Sequence, residues 1–429
     1  MAVFYLFVFV VGFALSDLNA ARVAGSAGQS VYAIDIVNFM AIALAAVYVA
    51  DGGLRRLSRA GRCYAALLGW LLVELVIGFG RYGGSALGEF RYVLPLFWFF
   101  APLGVETLRR TSADIEYATV PMALIRVAAA AALAMLVIEI AHGGRYYFSA
   151  ANASREGFED FRGARFLDSY QTFAIAFAAA AALLHARAHR VAGLVPVAGV
   201  LFVAALWTQN RTALIAVVGA LGLLAILERR FGLIAATSIG AVVVLGLLAI
   251  LMPSLLERLA ASYRSALNPA ADDSGTWRLL IQLSAFSQAM QTPWLGQGYG
   301  GYFRFELPNG SEVLAPPHSQ FLVLFLKGGV VAVALVSTAL LAYSIVLWKS
   351  RRNVYLAPRE RLVVELLLLF VLSQWPYGLA YDFVVTLGLM IGCAEMLLQR
   401  SQRRVVPSAD PLPYRRIATL NGSTSLVPQ

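Results

Sequence analysis

Charge is scarce in this chain. Asp, Glu, Lys and Arg make up 14% of its 429 residues, where a soluble domain carries about 25%. Cysteine is scarcer still. Cys63 and Cys393 both lie inside apolar stretches, without C-x-x-C spacing, so no disulfide framework is encoded. There are four histidines in all. What fills the space is apolar: hydrophobic residues reach 60% and mean hydropathy is +0.72. This excludes a string of ordinary soluble domains and favours one polytopic membrane unit. The net charge is +10, almost wholly from arginine. Those charges fall in short loops between apolar runs, a poor pattern for nucleic-acid binding.

Apolar runs of spanning length recur over 1–16, 31–50, 63–79, 92–108, 118–141, 169–186, 191–207, 212–227, 232–252, 319–347, 362–377 and 380–398. The expected fold is therefore an all-α polytopic membrane protein with about twelve transmembrane helices. The last two runs divide near Gln374–Tyr377. Residues 1–16 contain no Lys or Arg, which favours a first helix over a cleaved signal. Arginine tests the topology. With the amino terminus inside, each inner loop is basic: Arg55, Arg56, Arg59 and Arg62; Arg109 and Arg110; Arg187 and Arg190; Arg229 and Arg230; then Lys349, Arg351, Arg352, Arg359 and Arg361. That alternation follows the positive-inside rule. The expected organisation is transmembrane helices over 1–252, a large outer loop over 253–317, further helices over 318–398 and a disordered cytoplasmic tail over 399–429.

The outer side carries two longer loops, 142–168 and 253–317. The second holds two helical patterns, 255–267 and 275–290, and reads as a small helical cap. Arginines are frequent on this side too, including Arg81, Arg91, Arg165, Arg211, Arg278 and Arg304. Two readings stand for them: pairing with acids such as Glu156, Asp168 and Asp272, or gripping a polyanionic ligand with guanidinium forks. Arg211 sits in a tight turn between two apolar runs, where it either snorkels to headgroups or serves a site. His318 follows Pro316–Pro317 at a helix mouth. It is either a structural residue or a proton acceptor working near neutral pH. Lys327 lies deeper in the same helix and is expected to pair with Glu74, Glu139, Glu365 or Asp382. The run LGQGYGGYF, 295–303, lacks the strand–helix context of a dinucleotide fingerprint. Its glycines suggest tight turns where backbone can approach a ligand.

Taken together, these stretches resemble the bacterial O-antigen ligase and polymerase superfamily. QNRTALIAVVGALGLLAILERR (209–230) is similar to that family's arginine-led helix start. WRLLIQLSAFSQAMQTPWLGQGYGGYF (277–303) is similar to its loop of Arg, helix, Thr-Pro turn and Leu-Gly-x-Gly-aromatic. HSQFLVLFLKGGVVA (318–332) is similar to its His-led helix, and GSALGEFRYVLPLFWFF (84–100) to its early outer loop. Ser319 and Lys327 depart from the family's usual Asn and acidic residue.

The resemblance implies a glycosyltransferase of the bacterial inner membrane, with a periplasmic site and cytoplasmic termini. The implied donor is an undecaprenyl-diphosphate-linked glycan, and the acceptor a lipid A-core sugar or another glycan hydroxyl. His318, Arg211 and Arg278 are the implied catalytic residues, with Arg91 and Arg165 binding diphosphate or glycan. No metal or other cofactor is expected, because the chain has no D-x-D motif and Asp272–Asp273 alone is a poor metal site. Three further activities stay open: polymerisation of the glycan, transport of a lipid-linked sugar, and transfer to a protein acceptor.

Overall fold

A computed structural model describes residues 22–26, 29–108, 119–141, 169–208, 210–230, 273–306, 312–314, 317–352, 358–380 and 386–405, with isolated positions between them. The expected runs at 1–16 and, for most of its length, 232–252 lie outside the described residues, as do the 255–267 pattern and the tail beyond 405.

The described chain is mainly α-helical. A hairpin of β1 (Arg22–Ser26) and β2 (Gln29–Tyr32) leads into α1 (Ala33–Ala50). Then follow α2 (Arg59–Tyr82), the short α3 (Ser85–Phe90), a 3-10 stretch over Arg91–Phe99, and α4 (Phe100–Leu108). Next come α5 (Thr119–Ala141), α6 (Ser169–His189), α7 (Leu194–Trp207) and α8 (Arg211–Leu227). The segment expected as the large outer loop supplies α9 (Asp273–Ala289) and a hairpin of β3 (Arg304–Glu306) with β4 (Glu312–Leu314). The chain then runs through α10 (Gln320–Ser350), α11 (Pro358–Ala380) and α12 (Leu387–Val405).

Four described helices are long and apolar enough to cross a membrane: Arg59–Tyr82, Tyr170–His189, Gln320–Ser350 and Glu360–Ala380. Asp35–Ala50, Ile125–Ala134, Leu194–Trp207 and Arg211–Leu227 are apolar but shorter. Large apolar side chains such as Val76, Phe79, Ile215 and Leu341 stay exposed on these helices, as lipid-facing surfaces require.

The structure corrects three details. The hairpins depart from a purely helical chain. The 92–108 run is two pieces, because the 3-10 stretch accommodates Pro95 before α4 begins. No break falls at Gln374–Tyr377: α11 continues through Pro376 to Ala380, and α12 starts at Leu387.

Buried polar contacts tie the core helices together. Ser58 caps α2, accepting from the Gly61 amide, and its own N–H and Oγ both donate to Glu395 of α12 at 2.6 Å. Tyr343 of α10 donates to the same carboxylate at 2.9 Å. A carboxylate at the start of α2 complements the positive end of the helix dipole.

The feature that shapes the opposite end of α10 is a break at Gly329, whose φ of 63° and ψ of −164° are not helical. Four of the polar groups around the break find partners outside the helix. The carbonyls of Leu326 and Lys327 accept from Gln297 and Gly298 N–H at 3.0 Å each. Trp70 Nε1 donates to Gly328 O at 3.0 Å, and Val330 N–H donates to Pro293 O at 2.8 Å. Gly296, Gly298 and Gly300 take positive φ to make this possible. Their backbone approaches protein rather than ligand: Gly296 meets Lys327, Gly298 meets Gly78, and Gly300 meets Tyr82 and Ala86. That corrects the ligand-approach reading of 295–303.

At Gly78 the Tyr299 backbone leaves no room for a Cβ, whereas Gly69 on the same helix faces open space. Gly78→Ala should therefore lower the thermal midpoint of the purified protein, by the equivalent of about 1–3 kcal/mol. Gly69→Ala should leave it unchanged or raise it slightly. Equal midpoints for the two variants would show that the loop does not pack as described.

Candidate active site

Each of the three candidate side chains, Arg211, Arg278 and His318, sits at or near the start of a helix. Arg211 is the first residue of α8, half-buried, directly after Asn210, whose side chain caps the helix by accepting from Ala213 N–H at 3.2 Å. His318 stands just before α10, next to the cap residue Ser319, whose hydroxyl accepts from Leu322 N–H at 3.4 Å. Arg278 lies in the second turn of α9.

Two sets of contacts orient the helices. At one end, Glu228, which caps the C-terminus of α8, meets both Arg230 and Arg351, and Arg351 caps the C-terminus of α10. Arg230 also bonds Glu365 near the start of α11 at 3.0 Å. Thus α8 and α10 end together, beside the beginning of α11. At the other end, the Ser319 hydroxyl donates to Gly378 O near the end of α11 at 3.4 Å. From Glu365 to Gly378, α11 rises about 20 Å, and α8 rises about 25 Å over its length. Arg211 and His318 consequently lie at the same end of the bundle, remote from the ion-pair cluster. The break at Gly329 lets the segment 320–328 turn away from the axis of the rest of α10, which would otherwise carry His318 far above Gly378.

Arg278 joins His318 from α9. One turn after Arg278, Gln282 Nε2 donates to the His318 carbonyl at 3.3 Å. Burial, and secondarily the Arg278 guanidinium, lower the His318 imidazole to about 4, so it is neutral at physiological pH. Its backbone is in the left-handed region at φ 51°, uncommon for a residue other than glycine and held here by the Gln282 bond and the Ser319 cap.

The remaining candidates are placed differently. Arg91 starts the 3-10 stretch and pairs with Asp35 of α1 at 3.0 Å, its side chain one-third exposed (33%). Arg165 lies outside the described residues. Arg81 donates to Gln297 O at 3.1 Å and so holds the glycine loop.

Lys327 corrects an expectation. Its partner is Glu89 of α3 at 2.7 Å, not Glu74 or Glu365, and its Nζ also donates to Gly301 O at 2.6 Å, while the side chain of Glu139 and all of Asp382, the other two expected partners, lie outside the described residues. Glu89 in turn accepts from Gly300 N–H at 2.5 Å. Glu74 is fully buried, with neither carboxyl oxygen bonded among the described residues. Sequence reading missed both Glu89 and Gln282. Gln282 had a usable signal, four residues after Arg278 on the same helical face. Glu89 lay two residues before Arg91 in a stretch already singled out.

Two outcomes follow. Removing one member of the buried Lys327–Glu89 pair, by Lys327→Met or Glu89→Gln, should cost about 3–5 kcal/mol of stability, and the double substitution should cost less than their sum. Additive losses in denaturation experiments would mean that the pair is not coupled. For His318, the folded chain resists a proton that the unfolded chain takes up near pH 6.5. Its stabilising effect is complete above that pH and declines as pH falls toward about 4. The thermal midpoint of His318→Gln should therefore fall less steeply than that of the wild type between pH 6.5 and 4.5; parallel curves would contradict the assignment.

Residues 196–337 match a family model described as O-Antigen ligase. The matched segment begins in α7, takes in Arg211, Arg278 and His318, and ends just past the break at Gly329. No curated protein matches the chain. Residues 196–337 of this membrane protein are thus similar to the O-antigen ligase family over about a third of the chain.

Proposed function

We propose that this protein is an O-antigen ligase, transferring a glycan from undecaprenyl diphosphate to a sugar hydroxyl of the lipid A core. The observation that carries the reading is the meeting of His318 with Arg278 at the bundle end that also holds Arg211. An imidazole that stays neutral can accept a proton, and two guanidinium groups at the same end can hold a diphosphate.

In the proposed reaction the acceptor hydroxyl oxygen attacks the anomeric carbon. The bond from that carbon to the diphosphate oxygen breaks, and its electron pair leaves with undecaprenyl diphosphate. The hydroxyl proton passes to His318. Arg211 and Arg278 stabilise the charge that develops on the leaving group. In-line attack inverts the anomeric centre, and no metal takes part. Arg91, fixed by Asp35, and Arg165 are assigned to the diphosphate or glycan outside the reacting atoms. The site faces the periplasm of a bacterial inner membrane, with both termini in the cytoplasm. The alternative within the superfamily is a polymerase, in which the acceptor is another lipid-linked repeat.

The test uses purified protein, a lipid-diphosphate glycan donor and a lipid A-core acceptor. His318→Ala should reduce turnover by about 10²–10⁴-fold, the range for loss of a general base. Arg211→Lys keeps the charge but loses the bidentate fork, and should lower donor turnover markedly. Wild-type rates in either variant would remove that residue from the mechanism. Product sizing separates the two readings: single transfers onto core mark a ligase, and a ladder of growing repeats marks a polymerase.

A further inference from the structure

The two faces of α9 have opposite environments. On one, Ile281, Ala285 and Ala289 are fully buried against Phe303, Phe305 and Leu326, and Gln282 on the same side reaches the His318 carbonyl. On the other, Leu279, Leu283, Phe286 and Met290 recur every three or four residues and are each more than half exposed. The apolar stripe continues past the helix into Trp294 (72% exposed) and Leu295. Such a stripe beside a catalytic end is too large and too regular to be left facing water.

The stripe also joins a surface that must face lipid. Trp294 packs its backbone against Gly329, and Val330 N–H donates to Pro293 O. Val330 is exposed and opens a line of exposed positions, Ala334, Leu341 and Ile345, along the spanning helix α10. Apolar surface therefore runs from α9 through Trp294 onto a transmembrane helix.

We propose that α9 is an in-plane amphipathic helix, with its Leu279–Leu283–Phe286–Met290 face seated in the hydrocarbon of the bilayer leaflet nearest His318, rather than part of a cap standing in water. Helices of this type bury one apolar face at the boundary between acyl chains and headgroups, and Trp at that level is the usual interfacial anchor. Arg278, on the opposite face, then stands at headgroup height beside His318. That level suits a ligand whose reacting end is charged and whose other end is anchored in the bilayer. The proposal rests on the membrane assignment alone, so it survives failure of the transfer reading.

The test places nitroxide labels at Leu283→Cys and Phe286→Cys in a background carrying Cys63→Ala and Cys393→Ala. Leu341→Cys serves as the lipid-facing reference and Glu306→Cys as the water-facing one. The protein is reconstituted in phosphatidylcholine–phosphatidylglycerol vesicles without polyprenyl lipid. Spin relaxation by oxygen is compared with relaxation by a water-soluble nickel chelate. Positions 283 and 286 should match 341, favouring oxygen several-fold, while 306 favours nickel. Nickel preference at 283 and 286 would place the helix in water and overturn the proposal. Low access to both reagents would also overturn it, by showing that protein, from a second copy or another part of this chain, covers the stripe. Should the cysteine-free background not fold, acyl-brominated lipids in the same vesicles give an independent reading. They should quench wild-type fluorescence more than that of Trp294→Phe, and equal quenching would contradict the assignment.

Discussion

A helix cannot be broken inside a membrane unless its freed polar groups find partners in the protein. The break at Gly329 meets that requirement through a segment 30 or so residues earlier in the chain. Gln297 and Gly298 donate to Leu326 and Lys327, Pro293 accepts from Val330, and Trp70 donates to Gly328. Each of these bonds is worth about 1 kcal/mol net, but leaving a buried group unsatisfied costs about 1–3 kcal/mol. The glycine loop and the broken helix are therefore mutually dependent. Neither conformation is sensible alone, and the positive φ values at Gly296, Gly298 and Gly300 serve this one docking. The positions of His318 and of α9 follow from it, since α9 leads into the loop and His318 stands next to Ser319, the cap of the segment 320–328 before the break.

The charges around the break add a second constraint. Lys327 would be expensive in an apolar helix on its own. Glu89 and Gly301 O satisfy it, and Glu89 holds Gly300 as well. A single buried pair thus links the early outer segment, α3, to the loop and to α10. The opposite end of the bundle uses the same device, where Glu228, Arg230, Arg351 and Glu365 gather α8, α10 and α11. The two clusters differ in the groups they bring together. At the Glu228 cluster, Arg230 and Arg351 share carboxylates close at hand. At the opposite end Arg278 stands close enough to His318 to lower its proton affinity.

Much of this was legible in the sequence, and the limits have a physical pattern. Hydrophobic runs marked most of the described helices, because apolar periodicity is a local property read along the chain, and the arginine alternation set the expected direction. That expected direction put Arg211, Arg278 and His318 on one side, and the fold gathers them at one end of the bundle. Tertiary choices were not legible. Nothing in the sequence marks Glu89 as the partner of Lys327, since it falls between the 63–79 and 92–108 runs and only the fold brings it against the helix. The glycines of 295–303 announced close approach, but not whether ligand or helix would be approached. Gly78 faces Gly298 across that contact, and the pairing is visible only once both are in place. The Gly-Gly at 328–329 marked a weak point in α10, yet a weak point becomes a break only when a partner for its carbonyls exists.

A neutral imidazole that binds protons weakly is, by itself, a modest base. The resolution lies in what weakens it. Burial is the larger cause and the Arg278 guanidinium the second. In the proposed reaction a diphosphate would bind to that same guanidinium. Its negative charge would cancel the repulsion felt by a protonated His318, and a nearby anion would further favour the imidazolium. The donor would thus raise the proton affinity of the base in the act of binding. Without an anion on Arg278 the histidine stays neutral; with the diphosphate bound there, it would become a stronger base for the hydroxyl proton in the proposed reaction. An arginine placed against a histidine looks unfavourable in the protein alone. With a polyanionic substrate between them, as proposed, it would make the base strong only when there is something to react.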